Sequence, residues 1–271
     1  MPTVPRELRE SHVNRQMAES FGTDAARYDR SRPRYPEALI RRIAAGSPGT
    51  GVLDVGCGTG IAARQFQAAG CTVLGVDVDE RMADYARGEG LEVEVAKFED
   101  WDAADRRFDT VIAAQAWHWI DPVAGAAKAA RLLRPGGRLA IFWSVYRVAP
   151  ELAAAFGEVF SRVVPDSPFK AWGQQSVSAG GSALYTRAVD GIRASGAFAE
   201  PEEVWQYEWP WTYSRDQWLD QVPTTGGVTS LPPDKLAELL EGYGAAVDAV
   251  GGGFTMDFTT EVAAATLAVG A

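Results

Sequence analysis

From position 51 to 142 the chain alternates short apolar runs with longer amphipathic stretches. Residues 52–55, 72–77, 92–96, 109–114 and 138–143 have strand length and are rich in Val, Leu, Ile and Ala. The run at 52–55, broken only by Asp54, suits a buried central strand covered on both faces. Residues 61–69, 80–87 and 122–133 place apolar side chains at helical spacing between them. Strand and helix in strict alternation predict a parallel sheet with helices on both faces.

The flanks are less regular. Residues 6–21 are periodic but weakly apolar, while 36–45 form a clearer helix with Leu39, Ile40 and Ile43 on one side. Beyond 143 the predicted helices are 151–164, 182–195, 214–221 and 233–250, with a Pro-, Gly-, Ser- and Gln-rich loop at 165–181. Residues 203–213 read as a sixth strand, with Pro210 at an end or edge. Residues 254–268 read as a final strand, although EVAAATLA suits a helix nearly as well. In a strand at 205–211, Trp205, Tyr207, Trp209 and Trp211 share one face. The expected division is an N-terminal helical lid (1–46), a ligand-binding core (47–148) and cap helices plus the last two strands (149–271).

The first strand runs into VLDVGCGTG, Val52 to Gly60. Gly56, Gly58 and Gly60 form a turn in which a ligand can lie against bare backbone, facing the amides that open the next helix. Dinucleotide sites use G-x-G-x-x-G under a pyrophosphate. Here D-x-G-x-G-x-G is one residue shorter, and Asp54 would repel a phosphate but suit a cation. The pattern resembles motif I of the class I S-adenosylmethionine-dependent methyltransferases, whose cofactor carries a sulfonium and an ammonium. That resemblance implies a Rossmann-like, seven-stranded, mostly parallel sheet with cap insertions after strands five and six. The acid ending the second strand, Asp77 beside Val78, lies 17 positions past Gly60, where a carboxylate can hold both ribose hydroxyls. Asp79 is the better helix cap.

The resemblance carries further residues. F…A…Y-D…R-P-x-Y-P, between Phe21 and Pro36, is similar to the N-terminal lid of small-molecule methyltransferases of the trans-aconitate methyltransferase-like group. It implies that Tyr28 covers the methionine end of the cofactor and that Arg32 meets its carboxylate. Phe98 and Glu99 would lie along the adenine, whereas Lys97 departs from the Asp that many members carry. Gln115, after the fourth strand, would touch the cofactor. His118, in the same loop, is placed as a general base near its ordinary pKa, with Tyr28 as a second catalytic candidate. Tyr35, Trp117, Trp172 and Tyr185 are candidates for the acceptor site. The alternatives are a solvated loop for 21–36 and a packing role for His118 between its tryptophans.

Composition narrows the partners. A net charge of −10 and a pI near 4.8 disfavour nucleic acid. QAWH also replaces the N/D-P-P-Y/F tetrad of amino-methylating nucleic-acid enzymes. No apolar stretch reaches membrane-spanning length, and the polar N-terminus is no secretory signal. Two cysteines and two histidines give no disulfide framework or metal site. The expectation is a cytoplasmic methyltransferase, monomer or homodimer, using S-adenosylmethionine. It would methylate oxygen or an electron-rich carbon of a small, aromatic or indole-like specialised metabolite. An acidic acceptor of aconitate type, or a non-catalytic cofactor-binding role, are the alternatives.

Overall fold

The computed structural model describes residues 19–165, 176–200 and 205–268. The expected helix at 6–21 and Trp172 lie outside these, apart from the start of a 3-10 turn at Glu19–Asp24. Two helices follow that turn: α1 (Ala25–Ser31) and α2 (Glu37–Ala45), whose buried stripe is Leu39, Ile40 and Ile43.

The alternating region folds as its pattern dictates: β1 (Gly51–Val55), α3 (Ile61–Ala68), β2 (Thr72–Asp77), α4 (Glu80–Gly88), β3 (Glu92–Val95), β4 (Phe108–Ala114) and α5 (Pro122–Leu132). Then come β5 (Leu133–Arg147), α6 (Pro150–Val163), α7 (Ser176–Ser195), β6 (Trp205–Ser214), α8 (Arg215–Gln221), α9 (Pro233–Ala249) and β7 (Gly253–Thr266). The seven-stranded sheet has the order β3-β2-β1-β4-β5-β7-β6. Its first five strands are parallel, while β7 runs antiparallel to both β5 and β6. The chain order reverses between β1 and β4, and in open α/β sheets such a switch point is where ligands bind, at the strands' carboxyl ends.

Alternation along the strands separates two cores. Leu53, Val55, Val111, Ala113, Leu139, Ile141 and Trp143 pack on one face with residues of α5 and α7. Val52, Ile112, Ala140 and Phe142 pack on the other with α2, α3 and α4. β5 runs four residues past its expected end and pairs with β7 as far as Arg147↔Asp257. This overhang carries a third apolar cluster, in which Phe156, Trp218, Tyr243 and Phe258 pack between the long strands and α6, α8 and α9. The ambiguous segment EVAAATLA is strand through Thr266, because its alanines pack against both cores and its backbone completes the β5 ladder. The RPGG turn expected before β5 is an irregular strand start, with Gly136 at φ +75° and a register shift against β4.

Candidate active site

The glycine turn leaves β1 by donating from Gly56 to the Val76 carbonyl and closes with Gly60 donating to Cys57. Gly56, Gly58 and Gly60 adopt φ of +68°, +55° and +84°, which glycine alone adopts without strain. A Cβ on Gly58 would meet no atom within 4 Å, so this part of the turn faces open space.

Asp54 lies behind the turn, 1% exposed, and among the described residues neither carboxylate oxygen has a hydrogen-bond partner of good geometry. Burial, reinforced by the charge of Asp77, pushes its pKa up to about 7. Such a carboxylate gains most from a cationic ligand group. Asp77, at the tip of β2, accepts from the Gly58 amide at 2.7 Å and from the Asp79 amide at 2.9 Å. Burial raises its pKa, and these backbone bonds oppose the rise. Val78 follows, half-buried. Asp79 caps α4 by accepting from the Arg81 amide. An open glycine turn, a buried carboxylate without a counter-charge and a second carboxylate at the next strand tip fit a cationic nucleoside.

The adjoining cleft has a volume of about 90 Å³ and is lined by Tyr28, Arg32, Tyr35, Ile61, Gln115, Ser144, Tyr146, Trp209, Gln221 and Phe258, among others. Gln115 enters it because the chain leaves β4 in the left-handed region, at φ +58°, and its amide side chain donates to the Ser144 carbonyl. Arg32 donates to the Thr224 carbonyl at 2.7 Å and lies over the Tyr28 ring at 4.7 Å. Tyr35 packs edge-on against Phe142. Trp209 stacks on Phe258 at 4.4 Å and donates to the Thr260 hydroxyl. The larger hollow, about 860 Å³ between α2 and α3, opens at the amino ends of β1 and β2, the wrong end for this site.

Four expected residues sit elsewhere. Trp117 is 2% exposed and packs with Phe98 in the core beneath α5, so it is no acceptor wall. Tyr185 packs on that same face, whereas the Tyr35–Phe142 contact is on the opposite one. Glu99 accepts from the Asp121 amide, the residue that caps α5. His118 does not line the cleft. It lies beside Trp119, the rings tilted by 45° at 4.6 Å between centroids, in a 3-10 turn against α7, with Nδ1 closed to solvent. Burial, with the nearby Arg187 charge, lowers its pKa to about 4. The expected near-ordinary histidine is therefore corrected to a neutral, weakly basic one.

A half-buried histidine held neutral predicts a specific acid response. Between pH 6.5 and 4 the unfolded chain takes up a proton that the folded chain refuses, so this group costs stability as pH falls. His118→Gln should flatten that slope in melting temperature against pH and leave any pH–rate profile unshifted. A shifted profile would restore the base assignment.

Tyr146, Trp209, Gln221 and Phe258 are cleft residues that the sequence did not single out as site residues. Trp209 carried a signal in its four-aromatic face. Trp205 of that face is instead covered by Arg42, whose guanidinium lies 3.7 Å from its ring.

Residues 53–141 match the methyltransferase domain family. An uncharacterised methyltransferase of Mycobacterium tuberculosis is 36% identical over 151 residues, 55% of this chain and 61% of its own length. Methyltransferase GfsG of Streptomyces halstedii is 40% identical over 139 residues, 47% of this chain and 49% of its own length. The chain thus spans less than two thirds of these curated relatives. A solved structure from Anaeromyxobacter dehalogenans, described as a candidate type II methyltransferase, superposes with a TM-score of 0.61 at 28% identity, covering 87% of this chain and 97% of that one. Motif, topology and relatives agree on the region that the family model matches: residues 53–141 form a methyltransferase domain of the class I S-adenosylmethionine-dependent kind.

Proposed function

We propose that this protein transfers a methyl group to oxygen or an electron-rich carbon of a small, planar, aromatic or indole-like specialised metabolite in the cytoplasm. The observation that carries the acceptor class is the Trp209–Phe258 stack beside Tyr146, in the same cleft as Gln115 and Ile61. Parallel rings at that spacing offer a flat apolar wall, and aromatic pairs of this kind contribute about 0.5–1.5 kcal/mol beyond burial.

S-adenosylmethionine supplies a methyl group already activated on a sulfonium. The residues of this chain bind, align and exclude water. Asp54 offers negative charge to the cofactor's ammonium, and Asp77 accepts from its ribose. The Gly58 backbone leaves room for it, while Gln115, Tyr28 and Tyr35 close the space around the reacting centre.

A second reading rests on Arg32. Among the described residues, the cleft is lined by two guanidiniums, Arg32 and Arg34, and by no His, Asp or Glu. An acceptor that arrives already ionised, such as a carboxylate, needs no base and would meet this charge. Incubation with methyl-labelled cofactor and a panel of phenols, indoles and carboxylates separates the two readings. Trp209→Ala should lower kcat/KM for an aromatic acceptor by about tenfold, with affinity for S-adenosylhomocysteine retained. Binding of that product without methylation of any panel member would instead indicate a non-catalytic cofactor-binding protein.

A further inference from the structure

The N-terminal segment crosses the cleft as a bridge with different attachments on its two sides. On the core side, Asp29 accepts from Arg64 of α3 and from Arg34, and its side chain is 7% exposed. Burial alone would push the Asp29 pKa up, but the Arg64 hydrogen bond and the Arg34 charge hold it below the usual range. Arg64 also donates to the Thr59 carbonyl, inside the glycine turn. Gln65 exchanges two hydrogen bonds with the Tyr35 backbone. Upstream, the Gly22 backbone lies so close to the Asp79 carboxylate that a Cβ there would fall 2.1 Å from its oxygen.

On the far side most of the hold falls on one carboxylate. Asp220 of α8 accepts from Arg27 Nε at 2.8 Å and from Arg30 Nε and a terminal Arg30 nitrogen at 2.8 Å each. These residues are separated by about 190 positions, so the bond joins the two ends of the chain across the cleft mouth. The Arg30 hydrogen bond, before any other cause, holds the Asp220 carboxyl below the usual range. Arg32, the residue that follows α1, reaches the Thr224 carbonyl just beyond α8.

The cleft volume of about 90 Å³ is well under the roughly 300–1,000 Å³ of small-molecule sites. A ligand whose end sits between Tyr28, Arg32 and Gln115 therefore needs the two walls to part before it can enter or leave. The core-side bonds are the more buried. The Asp220 cluster is more open, with Asp220 at 28%, Arg27 at 33% and Arg30 at 55% exposure. Exposed ion pairs are weakened by salt and water, so this contact is the first to yield.

We propose that Asp220 is a positioning residue: its clamp on Arg27 and Arg30 latches the N-terminal bridge to α8, and ligand exchange requires this latch to open. The proposal rests on the methyltransferase reading for its ligand and on the geometry alone for its motion. It acts through Tyr28 and Arg32, which leave the cleft wall when the bridge and α8 separate.

The test uses the full-length protein, with Asp220→Asn and Asp220→Glu. Amide hydrogen exchange across 25–31 and 215–221 should quicken in Asp220→Asn and largely recover in Asp220→Glu. Stopped-flow tryptophan fluorescence should show S-adenosylhomocysteine leaving Asp220→Asn about tenfold faster. Departure from the wild type should accelerate with salt, and departure from Asp220→Asn should not. Unchanged exchange in Asp220→Asn overturns the latch. So does faster exchange with an unchanged, salt-independent release rate, since Asp220 would then stiffen α8 without gating. Failure of the wild type to bind S-adenosylhomocysteine would overturn the cofactor reading instead, and the exchange data would still decide the latch.

Discussion

Replacing Asp54 with Asn should do two opposite things: weaken binding of S-adenosylhomocysteine by about 10- to 100-fold, and stabilise the ligand-free protein at pH 8. Both follow from a carboxylate that is 1% exposed and, among the described residues, has no well-formed hydrogen bond. Its folded pKa of about 7 lies above the ordinary 3.8, so between those values the folded chain holds a proton that the unfolded chain has lost. Stability from this group is therefore greatest below pH 4 and falls as pH rises towards 7. The full difference is on the order of 4 kcal/mol. Asn cannot ionise and removes that slope, although it keeps an amide to satisfy. His118 titrates in the same window with the opposite sign, so the comparison must be variant against wild type at each pH. A bound ammonium reverses the balance, because it favours the ionised carboxylate. Binding at pH 6.5 should then release a proton, visible as a dependence of calorimetric heat on buffer ionisation enthalpy. Equal affinities and parallel stability profiles for the two proteins would detach Asp54 from the ligand.

The parallel half of the sheet was legible because its information is local. Val52 to Val55 is a buried run ended by glycine, and 109–114 is another ended by a polar loop. Each strand reports its own burial without reference to a distant partner. The cleft wall is different. Tyr146 faces Phe258 only through a ladder joining β5 to β7, and Trp209 faces Phe258 only through the ladder joining β6 to β7. Nothing near Ser144 announces that β5 continues, since the residues that cover it lie more than 100 positions away.

His118 shows a second limit. Its address after β4 was sound, but an address does not set a direction. The left-handed turn at Gln115 aims that side chain into the cleft and returns the chain at once to pack Trp117 in the core. The histidine then follows the tryptophan rather than the glutamine. Asp220 was invisible for the reason that hid Tyr146: its partners Arg27 and Arg30 are at the other end of the sequence.

The glycine turn yields the other large expected effect, because two of its glycines serve different ends. Gly56 and Gly58 both sit at positive φ, and an alanine at either loses about 1–2 kcal/mol to backbone strain. At Gly56 the new methyl would also fall 2.5 Å from the Ala116 Cβ. Overpacking of that kind adds about 1–3 kcal/mol, and the loop from β4 to α5 cannot recede without moving Trp117 out of the core. Gly56→Ala should thus lower the stability sharply, by about 2–5 kcal/mol in all, and the denaturation midpoint with it. At Gly58 the methyl meets nothing within 4 Å. Gly58→Ala should fold with only the backbone penalty, yet lose at least about tenfold in affinity for S-adenosylhomocysteine, since the methyl occupies the space left for close approach to the backbone. Chemical denaturation and calorimetry on the same samples separate the two effects. Gly58→Ala binding as tightly as the wild type would mean that no ligand rests on this turn, and the assignment of Asp54 and Asp77 to that ligand would fall with it.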